Sequence, residues 1–219
     1  MNLQRPLILS GVLLAATAIV GVWAYRVLPA GATIPVHFSS HGDPDGFMAK
    51  GLGLALLPAI GTFVITILAL APRLAPNRAG LDQTAEVYGM VLIGVAAMFL
   101  VSQGAVTMRA MDPAFDVIRW LFLAIGVLFV LLGNLLGKLR HNFMFGIRTP
   151  WTLKDKRVWD RTHRFTGRLM VLAGVLLAAV AALGVGHDQL IWVLVLCAAA
   201  PGVAGFIYSR TIYSDAQRG

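Results

Sequence analysis

The chain has 219 residues, of which 58% are hydrophobic and 13% charged, with a net charge of +8. Soluble chains carry about 25% charged residues, so a soluble globular domain is excluded and an integral membrane protein is expected. In such a protein, excess Lys and Arg marks cytoplasmic loops before it marks nucleic acid, and the single Cys197 excludes an internal disulfide framework.

Residues 7–28 are apolar apart from Ser10, Thr17, Tyr25 and Arg26. About 20 apolar residues cross a bilayer as a helix. The run exceeds the apolar core of a secretory signal, so it is read as the first span. Residues 29–50 are polar and rich in Gly and Pro, and are read as a loop or short re-entrant element. Residues 51–71 form the second span, in which Pro58 removes a backbone donor and favours a kink. Residues 72–86 are a short loop and 87–108 the third span. After a tight connection at 109–116, residues 117–137 form the fourth. Residues 138–168 are a basic loop. The fifth span is 169–185 and the sixth 190–208, where Ala198 and Gly202 form a small-xxx-small pair suited to close helix approach. The expected fold class is all-α: a polytopic bundle of six transmembrane helices. Its parts are an amino-terminal helix pair (1–71) with its outer loop (29–50) and a four-helix part (72–219) with the basic loop.

Orientation follows from charge. With the amino terminus inside, Arg5, Arg73, Arg78, the nine basic residues of 138–168, Arg210 and Arg218 face the cytoplasm. Arg26, Lys50, Arg109 and Arg119 face outward. The positive-inside rule favours that arrangement over its reverse, so both termini and the basic loop are expected to be cytoplasmic and 29–50 outside. No Asp, Glu, Lys or Arg falls near the middle of a span. This disfavours a proton-coupled transporter or ion pump. Gln103 and Asn134 are expected to bond across helices.

The outer loop reads I-P-V-H-F-S-S-H-G-D-P-D-G-F at 34–47. Asp43-Pro44-Asp45-Gly46 is good turn chemistry. His37, His41, Asp43 and Asp45 also offer imidazole and carboxylate ligands for a metal such as zinc. A structural turn, a recognition surface and a metal site are the three readings.

The basic loop reads K-L-R-H-N-F-M-F-G-I-R-T-P-W-T-L-K-D-K-R-V-W-D-R-T-H-R-F-T-G-R at 138–168. Thr152 and Asp155 suggest a capping box opening a helix over 153–165 that runs on through Gly167. Its cations suit anionic headgroups, with Trp159 at the boundary. Anchoring explains the charge. It does not require His141, Asn142, Gly146, Thr149 or His163, and these invite docking of a partner or catalysis by His163. No independent nucleic-acid-binding fold is visible, and no cofactor is expected.

Two stretches together resemble the SdpI-like family: I-P-V-H-F-S-S-H-G-D-P-D-G-F-M-A-K at 34–50, and N-F-M-F-G-I-R-T-P-W-T-L at 142–153 followed by W-D-R-T-H-R-F-T-G at 159–167. The resemblance implies a multi-pass protein of the bacterial inner membrane. It implies immunity to a secreted peptide toxin and possible sequestration of a cytoplasmic regulator. On the outer motif it points to His37, Phe38, Gly42, Asp45 and Gly46. On the inner motif it points to Asn142, Gly146, Arg148, Thr149, Pro150, Trp151, Trp159, His163 and Gly167, and Arg164 stands among these as a further contact candidate. The expected mechanism is a peptide contact outside, a shift in helix packing and a changed inner loop, with the second span at Pro58 a candidate moving part. Rival readings are a transporter of a peptide or lipid-like molecule, with a polar mid-membrane cavity near Gln103 and Asn134, and a membrane metalloenzyme.

Overall fold

The computed structural model describes residues 2–74 and 84–218, with main chain only for 215–218. Arg78 therefore lies outside the described residues, as does the side chain of Arg218. Six helices are long and apolar enough to cross a membrane. They are α1 (Gln4–Val27), α2 (Lys50–Leu70, extended by a 3-10 turn at Ala71–Leu74), α3 (Ala85–Met111), α4 (Val117–Leu136), α6 (Lys156–Ala182) and α7 (His187–Arg218). The short α5 (Pro150–Lys154) precedes α6. Phe63, Leu172 and Trp192 lie exposed on the outside of the bundle. In lipid that exposure is favourable, and a helix satisfies its own backbone groups.

Residues 29–50 are not re-entrant. They contain an antiparallel hairpin of β1 (Thr33–Phe38) and β2 (Pro44–Ala49). Its turn is at 39–43, where Ser39 N–H donates to Asp43 O and Gly42 N–H to Ser39 O. The stretch Asp43-Pro44-Asp45-Gly46 mostly enters β2 instead of forming the turn. Pro44 can take the first strand position because no ladder donor is needed there. Ile34 is fully buried and anchors the hairpin beside Ala24, Leu28 and Leu54 at the ends of α1 and α2.

α1, α2 and α3 pack together, and so do α4, α6 and α7; α3 and α4 join the two groups. The tightest crossing is α4 on α6. A Cβ at Gly126 would stand 2.8 Å from Gly174 O, and one at Gly167 2.5 Å from Gly133 O. The two antiparallel helices thus meet backbone to backbone at two levels, which is how membrane helices gain packing where lipid supplies no hydrophobic drive. In α7 the buried stripe is Leu190, Cys197, Pro201, Gly205 and Ser209. Ala198 and Gly202 are one position out of phase with it and lie exposed, so the expected close contact falls at Gly205, against Thr166 and Ile147.

The helix caps also differ from expectation. Thr149, not Thr152, is the N-cap of α5, with Pro150 at the first helical position. Thr152 occupies the third position and returns the bond: Thr149 N–H donates to Thr152 Oγ1 at 2.9 Å and Thr152 N–H to Thr149 Oγ1 at 3.1 Å. Asp155 ends α5 and caps α6, accepting from the N–H groups of Arg157 and Val158. Fixed φ makes proline well suited to the first helical turn, which sets the start one turn earlier than a Thr152 cap. As expected, α6 continues through Gly167, here as far as Ala182.

Candidate functional site

The polar groups gather at the two ends of the bundle. At the hairpin end, His37 Nδ1 and Asp45 Oδ1 are 2.5 Å apart across the strands, both well exposed. Phe38 pairs with Pro44 at the end of the ladder. The hairpin turn is held from outside by His187, the first residue of α7. His187 Nδ1 lies 2.7 Å from the main-chain carbonyl oxygen of His41, and Nε2 lies 3.0 Å from the Asp116 carboxylate. Asp116 caps α4, accepting from Arg119 N–H, and pairs with Arg119 Nε at 3.0 Å. Partial burial pushes the Asp116 carboxyl up. The Arg119 main-chain N–H, the His187 ring and the Arg119 side chain outweigh that and hold it below the usual carboxylate value. A carbonyl oxygen and an ionised carboxylate are both pure acceptors. Each ring nitrogen of His187 therefore faces an acceptor. Gly42 makes the approach possible: its φ is +88°, and a Cβ there would stand 2.5 Å from His187 Nδ1.

The opposite end is built around Asn142 and His163. Asn142 is fully buried. Its Oδ1 accepts from Met144 N–H and Phe145 N–H, and its amide donates to Arg140 O at 2.8 Å, so one side chain folds the loop after α4. His163, also fully buried, sits between a carbonyl and an N–H: Nδ1 is 2.9 Å from Trp159 O, and Nε2 accepts from Ile147 N–H at 2.9 Å. That pairing fixes a neutral ring with its proton on Nδ1. Trp159 stacks on it at 4.0 Å between ring centres and donates from Nε1 to Leu139 O. Gly146, with φ +100°, again leaves room for the ring, since a Cβ there would collide with His163 Nε2.

This element around Asn142 and His163, labelled inner only after its sequence motif, is tied to α7. Thr149 Oγ1 and Ser209 Oγ are 3.1 Å apart. Trp151 packs edge-on against Phe206, and Phe165 stacks on Tyr208. It also meets α3, where Tyr88 stacks on Phe145 at 4.4 Å. Among the inner candidates, Asn142, Trp159 and His163 have no exposed surface and Thr149 almost none. Arg148, Trp151 and Arg164 are at least partly exposed. Arg148 donates to Phe143 O and Arg164 Nε to Asp160 O. Among these seven candidates only Arg148, Trp151 and Arg164 present surface; the other four are packed inside the fold.

Of the four metal-ligand candidates, only His37 and Asp45 meet. His41 lies 3.6 Å from Asp188 instead, and Asp43 is exposed beside the turn. Among the described residues no three His, Cys, Asp or Glu side chains group closely enough to hold an ion. Gln103 and Asn134 do not bond across helices as expected. Gln103 is 1% exposed with both amide atoms unpartnered, because small residues such as Gly21 let α1 pack over it. Asn134 points out of the bundle. The groove of about 680 Å³ between α1 and α2 is lined by residues such as Gly21, Leu54 and Pro58 and by neither amide.

His187, Asp116 and Ser209 escaped sequence reading. Asp116 directly before an apolar run is an N-cap signal, and His187-Asp188 opens the last span in the same way. Ser209 becomes meaningful only once the phase of α7 is known.

Residues 138–209 match the model of the SdpI/YfhL protein family, and residues 12–62 match a domain of unknown function (DUF1648). The chain is 25% identical over 174 residues to "Immunity protein SdpI" of Bacillus subtilis (strain 168), covering 78% of this chain and 79% of the relative. No solved structure matches it. Residues 12–62 contain the hairpin and residues 138–209 the element around Asn142 and His163, and with six apolar spans around them the chain is a multi-pass membrane protein similar to the SdpI-like family.

Proposed function

We propose that this protein is an immunity-type membrane protein. It protects a bacterial cell from a membrane-active peptide met at the hairpin, and it reports that contact to a regulator at the inner element. The reading places both termini and the basic segment at the cytoplasmic face of the inner membrane, as the charge distribution favours. Similarity to an immunity protein supports the class.

The observation that carries the mechanism is that one helix touches both ends. α7 holds the hairpin turn and Asp116 through His187, and Thr149 through Ser209. Those two residues are 22 positions apart, about 33 Å along a helix. A peptide that displaces the turn changes the bonds at the first residue of α7. The same helix carries the partners of Thr149, Trp151 and Phe165. Coupling needs an element that both sites bias, and α7 fits that role better than α2 at Pro58. Pro201 lies within α7 between the two contacts.

The test is survival. A sensitive strain expressing the chain should grow in a peptide toxin that kills the empty-vector control. Equal killing at verified membrane levels, across secreted membrane-active peptides from the producing species, would remove the immunity reading.

A further inference from the structure

Where α4 crosses α6 near the basic segment, a groove of about 450 Å³ opens on the outside of the bundle. Its floor is backbone, because Gly133, Gly137 and Gly167 bring the helices into contact. Its polar rim is Asn134, Arg164 and Arg168, and Val171 and Leu172 continue the wall on α6. Positions 164, 168, 171 and 172 lie on one helix face. They run from the basic segment toward the middle of the span over about 12 Å. Cations thus stand at one end of the groove and apolar side chains at the other.

The polar rim has unused capacity. Arg164 spends only Nε, on Asp160 O. Neither the Asn134 amide nor the Arg168 guanidinium has a hydrogen-bond or ion-pair partner among the described residues. An exposed amide on a membrane helix is costly without a partner. Two guanidinium groups four residues apart suit a phosphate, which they can grip with paired donors. Basic pockets between membrane helices are where lipid headgroups bind.

We infer that this groove is a specific site for one anionic diacyl phospholipid, with its phosphate held by Arg164, Arg168 and Asn134 and an acyl chain lying along Val171 and Leu172. The site stands independently of the immunity reading. It differs from a diffuse attraction of the basic segment for the membrane surface, which needs neither the glycine floor nor Asn134.

The test is native mass spectrometry of the full chain purified in detergent and titrated with phosphatidylglycerol, phosphatidylcholine or glycerol phosphate. Wild type should retain one phosphatidylglycerol in preference to phosphatidylcholine, and millimolar glycerol phosphate should not displace it. R164Q/R168Q should bind phosphatidylglycerol about tenfold more weakly or worse, since each loses charge-assisted bonds. R157Q/R161Q, which removes two exposed cations of the same helix outside the groove, should leave binding unchanged. Asn134→Leu keeps both arginines and suits a lipid-facing helix, so it reports on the groove even if the double variant misfolds; it too should weaken binding. Equal retention in the groove variants, equal loss in R157Q/R161Q, or displacement by glycerol phosphate would each overturn the site.

Discussion

His187 Nδ1 lies 2.7 Å from the main-chain carbonyl oxygen of His41, 146 positions earlier in the chain. The bond joins the turn of a hairpin between α1 and α2 to the first residue of the last helix. On its other side the same ring bonds Asp116 at the start of α4. One imidazole therefore connects three elements at one face of the bundle, and the helix it starts reaches the other face.

Replacing His187 with Phe keeps a ring but removes both ring nitrogens and their bonds. The hairpin turn should then open more readily. Loss of these two bonds, one of them to a carboxylate, costs about 1–3 kcal/mol. Amide hydrogen exchange at 39–43 should accelerate by roughly 5- to 150-fold for that range, while β1 near the buried Ile34 changes less. Unchanged exchange at the turn would show that His187 does not hold it.

Each end seats a histidine against a positive-φ glycine: Gly42 with His187, and Gly146 with His163. Gly42→Ala and Gly146→Ala each add a strained backbone and a collision with a ring. A strained non-glycine residue costs about 1–3 kcal/mol. Gly146→Ala should be the more damaging in thermal unfolding, because His163 is fully buried and His187 is not. Equal stability of wild type and Gly146→Ala would contradict the seat.

Asp116 gives a pH dependence with a defined sign. Its carboxyl is held below the ordinary value, which is about 3.9 in an unfolded chain. A depressed folded value contributes stability that is present above the unfolded value and lost as pH falls through the folded one. The difference in unfolding temperature between wild type and Asp116→Asn should therefore be present at pH 5 and shrink toward pH 3. A difference that widens on acidification would contradict the ionised pairing.

The tie between α7 and the inner element rests on Thr149 and Ser209. A double-mutant cycle with Thr149→Val and Ser209→Ala should give a coupling of about 0.5–1.5 kcal/mol. Thr149→Val alone should cost more than Ser209→Ala, since it also removes the cap of α5. Zero coupling would mean the two hydroxyls do not act as a pair.

The spans were legible because apolar length alone identifies a membrane helix, and because Pro29 through Lys50 and the basic segment interrupt the apolar runs clearly. The hairpin was harder. Asp43-Pro44-Asp45-Gly46 looks like a turn, yet burial of Ile34 and pairing of Thr33 with Ala49 set a register that puts the turn at Gly42. The caps of α5 and α6 were one turn off because Thr149-Pro150 and Asp155 compete with Thr152 as starts. His163 and Asn142 were visible as residues an anchor does not need. That they are buried supports of the inner element is a tertiary fact. The phase of α7 and the partners of His187 depend on how distant helices pack, which no local pattern encodes.

The most direct test of α7 as the link between faces is hydrogen exchange of the full chain in bilayer nanodiscs, comparing wild type with His187→Phe. If α7 carries the connection, exchange rises at the hairpin turn and also in residues 142–155, whose contacts with α7 are some 33 Å along the helix from the substitution. Faster exchange confined to the hairpin and the first turns of α4 and α7, with residues 142–155 unchanged, would contradict it.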